Sequence, residues 1–169
     1  MVSNKKRLYV ALYPSGVVNN EELMYLTSLI LGYHWGFLIG PKVEAQDQIP
    51  GVRYHEVPLR NVRSTVNLLA RILVAKIEDE ARLVEILRST PIVQGDSESS
   101  CITWLADALR RIREDGKAVG TSQLDWARIE PLAREYVAEK KAGGRYGQGA
   151  DMSLPKPTWD LLKDKEIVA

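Results

Sequence analysis

The chain is poor in the residue types that usually decide a function. It has one cysteine, Cys101, and two histidines, His34 and His55. A lone cysteine excludes an internal disulfide and points to a reducing, cytoplasmic setting. These three residues lack short chelating spacings, so neither a metal site nor any other cofactor is expected. An excess of one charge is missing as well. Lys and Arg total 23 against 22 for Asp and Glu, so no nucleic-acid partner and no anionic membrane surface is expected. No apolar run approaches about 18 residues, so no membrane span is expected. The run Leu8–Tyr13 is too short for a secretory leader. Phosphate loops, dinucleotide fingerprints and internal repeats do not occur.

What is present is a globular composition, 45% hydrophobic and 27% charged over 169 residues. That suits one domain spanning 1–169 with a real core. Arg7–Tyr13 reads as a strand closed by Pro14-Ser15-Gly16. Asn19 or Asn20 is placed to cap a helix over Glu21–Leu31 that Gly32 ends. Tyr33–Gly40 and Gly51–Val57 read as adjacent antiparallel strands joined by a polar loop. Val66–Ile77 reads as a fourth strand, although Leu68, Leu69, Ile72 and Leu73 also fit a helical face. An acidic start at Asp79 or Glu80 predicts a helix to Arg88, stopped by Pro91. Ser122-Gln123-Leu124-Asp125 matches a capping box and opens a further helix, which Pro131 should break or kink. Residues 143–150 read as a flexible segment, and the tail 151–169 as a piece packed on the body through Trp159 and Leu162. The sum is an α+β fold: an antiparallel sheet of about four strands with helices packed on one face.

Chemistry concentrates around Cys101. Small polar residues precede it, and Cys101, Trp104, Leu105, Ala108, Leu109 and Ile112 recur at helical spacing. This predicts a thiol in the first turn of an amphipathic helix, where backbone N–H groups and the helix dipole favour a thiolate. A thiolate nucleophile needs a base, usually an imidazole. Strand alternation puts His34 on one face with Gly36, Leu38 and Gly40. Gly36 leaves room for close approach beside His34. His55 is flanked on its own face by Arg53 and Val57. Gln94 stands just upstream as a side-chain donor or a loop residue, and Trp104 as a core residue or a pocket wall. The same three residues also fit a plain structural role, a thiol in a helix seam and hydrogen-bonded core histidines.

A strand carrying His34-Trp35-Gly36, a second histidine on the next strand and a downstream cysteine opening a helix make an ordered set. That order resembles the circularly permuted papain-like group, the NlpC/P60 relatives typified by lecithin:retinol acyltransferase. The resemblance implies Cys101 as nucleophile, His34 as base and His55 as the residue that orients the base. Ser100 stands where the group has Asn before Cys, and the loop between the histidine strands is longer. The chain is also similar, over nearly its full length, to a family of small, uncharacterised fungal proteins. The likeness runs through Arg7–Tyr13, Tyr33–Lys42, Cys101–Leu105, Asp115–Gly120 and Pro157–Asp160.

The first functional expectation is a cysteine-dependent hydrolase or acyl/peptidyl transferase acting on a small-molecule or peptide carbonyl. The second is a biosynthetic enzyme using the same residues for a cyclisation, isomerisation or thiol addition. The third is a non-catalytic binding module on a degenerate papain-like scaffold. Substrate and oligomeric state carry no signal in the sequence.

Overall fold

Seven consecutive strand-forming residues apolar on both sides, or nearly so, belong in the middle of a sheet. The computed structural model, which describes residues 5–14, 33–41, 52–53, 68–92 and 97–169, puts them there. Strand β1 (Arg7–Pro14) lies between β2 (Tyr33–Gly40) and β4 (Ala70–Ile77), antiparallel to both. The short β3 (Val52–Arg53) extends the sheet past β2, pairing Leu38 with Arg53 and Ile39 with Val52. The expected adjacency of the two histidine-region strands therefore holds over these two pairs. The helix expected over 21–31 lies outside the described residues, as do His55 and Gln94.

The sheet is larger than the four strands expected. Six strands follow the order β3-β2-β1-β4-β6-β7, and β5 (Val119–Ser122) also pairs with β4. Nor is it wholly antiparallel. β6 (Thr158–Asp160) runs parallel to β4, and β7 (Lys165–Val168) turns back along it. Short strands such as these hold polar residues that only a partner element makes burial-worthy. Thr158, fully buried, accepts from Arg71 Nε at 2.8 Å and donates to the Lys156 carbonyl.

Three described helices pack on one face of the sheet. α1 (Glu80–Ser89) starts at Asp79, whose carboxylate accepts from the Arg82 N–H, and buries Leu83 and Leu87. α2 (Ser97–Asp115) buries Trp104, Leu105, Ala108, Leu109 and Ile112, the stripe read from the sequence. Asp115 ends it: its Oδ2 accepts from Lys117 N and Ala118 N while Gly116 takes φ +65°, and the chain turns into β5. α3 (Trp126–Ala142) is capped by Asp125, which accepts from Ala127 N. Ser122, expected as the cap, instead closes β5 opposite Ala75. The helix continues through Pro131 where a break or kink was expected. All three helices join the core cluster formed by Leu8, Val10, Leu12, Trp35, Phe37 and Ile39. A smaller cluster of Tyr9, Ala11, Tyr13, Leu38, Leu68 and Leu73 occupies the opposite face. At about 25 cal/mol per Å² of apolar area, the helix-side cluster is the main source of stability.

Residues 143–149 form consecutive turns after α3. The Arg145 guanidinium donates to the carbonyls of Asp151 and Pro155, and the Tyr146 hydroxyl donates to the Leu69 carbonyl. Burial holds the Tyr146 phenol well above its ordinary value.

Candidate thiol–imidazole site

Two elements bring the cysteine and one histidine together. Trp104 fixes the height of α2 over the sheet. It is 9% exposed, its Nε1 donates to the Thr90 carbonyl at 3.2 Å, and its ring meets Phe37 edge-on at 5.7 Å. Cys101 lies one turn before Trp104, as His34 lies three residues before Phe37. The Cys101 Sγ stands 3.4 Å from His34 Nδ1, within hydrogen-bonding distance for sulfur. Both residues are partly exposed.

His34 does not share the face of β2 that packs on the helices. Its register partner is Tyr13, on the sheet face away from the helices, whereas Tyr33, Trp35 and Phe37 face α2 and α3. Thiol and imidazole therefore meet at the margin of the sheet. Beyond β2, among the described residues, only Leu38 and Ile39 have a strand neighbour. A Cβ placed on Gly36 would meet no described atom within 4 Å.

The helix start differs from expectation in one respect. Cys101 is the fifth residue of α2, not a member of its first turn. The four N–H groups without helical acceptors belong to the residues before it. The dipole effect, which falls off within the first turn, is correspondingly weaker at the sulfur.

Among the described residues, no three His, Cys, Asp or Glu side chains come together as a metal site. Two residues that pack on the strand carrying His34 gave no signal in the sequence. Both come from α3. Trp126 packs edge-on against Trp35 at 5.2 Å, and the Arg134 guanidinium lies over the rings of Trp35 and Tyr33 at 5.2 and 5.9 Å. Helical periodicity shows which side of α3 is buried but not which strand it crosses.

A family profile, Family of unknown function (DUF6914), matches residues 5–168. The chain belongs to that family. Searches of curated proteins and of solved structures return no match. The match covers every described strand and helix, so DUF6914 here denotes the whole fold. The DUF6914 segments around the site, Tyr33–Gly40 and Cys101–Leu105, are the strand and helix that place the pair. No described helix is long and apolar enough to cross a membrane.

Proposed function

We propose that Cys101 and His34 are the nucleophile and base of a cysteine-dependent hydrolase or acyl/peptidyl transferase acting on a small-molecule or peptide carbonyl, on a permuted papain-like scaffold. The 3.4 Å contact between Sγ and Nδ1 carries this reading. A base within hydrogen-bond reach is the geometric requirement for an activated thiol.

The chemistry runs in two halves. Nδ1 takes the thiol proton, the sulfur bonds to the carbonyl carbon, and the C=O electron pair moves to oxygen. Collapse of this adduct expels the leaving group, which receives the proton from the imidazolium. Water or an acceptor, deprotonated by the now neutral imidazole, then attacks the thioester and releases the thiolate. Helix-derived donors to the oxyanion come from the first turn, Ser97 to Ser99, since the Ser100 and Cys101 N–H groups lie within the helical ladder.

With Nδ1 toward sulfur, Nε2 is the nitrogen that an orienting residue holds. We assign that role to His55. The order of the residues supports it: a second histidine follows the segment His34-Trp35-Gly36, as in the permuted papain-like group that the sequence resembles.

The test is the rate of iodoacetamide alkylation of Cys101 against pH. The wild-type midpoint is expected below the free-cysteine value of about 8.5. His34→Ala should return it to that value, and His55→Gln should move it part of the way. A wild-type midpoint at the free-cysteine value, or one that His34→Ala leaves in place, removes the catalytic pair.

A further inference from the structure

No residue of β7 is buried: Lys165, Glu166 and Ile167 are exposed and Val168 is half-buried. Apolar burial therefore does little to hold this strand. What holds it is main-chain pairing with β6 and one polar seat on α3. The Tyr136 hydroxyl donates to Glu166 Oε1 at 2.6 Å and to the Val168 carbonyl at 3.1 Å. Lys140, one turn further along α3, pairs with the same Glu166 carboxylate. Tyr136 also meets Trp159 edge-on at 5.7 Å, and Trp159 is the register partner of Glu166. Strand β6, Tyr136 and Lys140 thus make one seat, and Glu166 is the group that fits it.

The link between β6 and β7 is short, residues 161–164. Asp160 fastens its start, where the carboxylate accepts from the Leu162 and Lys163 N–H groups. Its last residue, Asp164, takes φ +52°, the only positive φ at a non-glycine residue among those described. That conformation is costlier for an L residue than for a glycine. A change of φ at Asp164 redirects the chain while the bonds to Asp160 stay in place. Short, strained connections favour exchange of the segment beyond them between copies, because the connection relaxes and the segment keeps its contacts.

We propose that β7 is exchanged between two copies of this chain. Residues 165–168 of each copy leave their own seat and take the β6, Tyr136 and Lys140 of the other. The dimer makes the same contacts as two monomers and releases two Asp164 turns. Exchange competes with a contact made within one chain, so the dimer forms at millimolar concentration.

The test reverses one charge at a time. Lys140→Glu sets two carboxylates against each other within a chain, and Glu166→Lys sets two ammonium groups against each other. Exchange between identical copies relieves neither variant. Exchange between the two variants relieves both, since each strand then meets its opposite charge. Native mass spectrometry of the equimolar mixture should show the heterodimer exceeding either homodimer about ten-fold, the gain of turning two like-charge contacts into two opposite-charge ones. Both reversals in one chain should restore the wild-type dimer fraction. Adding Asp164→Gly to both partners should lower the heterodimer about ten-fold, since a glycine removes the strain from both closed turns. Loss of the exposed Asp164–Arg128 ion pair would loosen the closed turn and act the other way.

A folded mixture with no excess of heterodimer overturns the proposal. A heterodimer that Asp164→Gly leaves in place arises from surface attraction and overturns it as well. Should either charge variant fail to fold, the wild type at millimolar concentration decides. A dimer that Asp164→Gly depletes supports exchange, and no dimer, or one that Asp164→Gly does not change, overturns it.

Discussion

Two glycines show how the same residue type serves different ends. At Gly36 a Cβ would meet no described atom within 4 Å, whereas at Gly120 it would stand 2.6 Å from Glu78 Oε1. Glu78 needs that room to reach Lys5 with its carboxylate. Gly36→Ala should therefore raise stability by about 0.5 kcal/mol, because a strand glycine carries an entropic cost with nothing packed against it. Gly120→Ala should lower stability by about 1 kcal/mol. That loss should largely disappear in a Glu78→Ala background, since the two positions share one contact. Urea midpoints of the two single variants and the double variant check both signs.

At the scale of elements, the start of α3 separates what a short motif specifies from what it leaves open. Ser122 and Asp125 both have a side chain able to accept from a helix N–H. The structure uses Asp125, because β4 claims Ser122 as a strand residue. Asp125→Ala should cost about 1 kcal/mol. Ser122→Ala should stay within about 0.5 kcal/mol, as for an exposed surface position. Thermal unfolding of the two variants distinguishes them. The stripe of α2 and the strands β1, β2 and β4 were legible because each has an apolar rhythm several residues long. β5, β6 and β7 were not. They are three or four residues each, and Thr158 and Asp160 are polar residues whose burial depends on partners far along the chain. The candidate site was legible to the same degree. Helix and strand patterns located Cys101 and His34. Their meeting across the sheet margin depends on how α2 lies over β2, which Trp104 and Phe37 decide by packing.

For the molecule as a whole, Lys156 links stability to pH. Burial, with the Arg145 charge adding to it, pushes its amine down to about 8. Its Nζ donates to the Met152 carbonyl at 2.5 Å, and Lys156 is 5% exposed. An amine in the unfolded chain titrates near 10.4. Between about 8 and 10.4 the unfolded chain binds more protons, so this group makes stability rise with pH across that window. Below about 8 both states are protonated, and the full cost of the buried charge applies. Lys156→Met should thus stabilise the protein by about 1–2 kcal/mol at pH 7. The gain should shrink toward zero above about pH 10.5, as read by urea unfolding at the two pH values. A gain that stays constant with pH would mean that packing, not charge, is responsible.

The parallel strand β6 also sets a timetable. Arg71 and Thr158, which it brings together, are 87 positions apart in the chain. During synthesis β4 emerges long before β6, and one flank of β4 waits while the three described helices are made. At about 5–20 residues per second, the wait lasts roughly 4–17 seconds. Sheets closed by such distant segments form slowly, and unpaired flanks attract other strands. Vectorial synthesis therefore leaves this chain with a transient, adhesive edge. Its yield in a cell will depend on how often that edge meets β6 before it meets a neighbour.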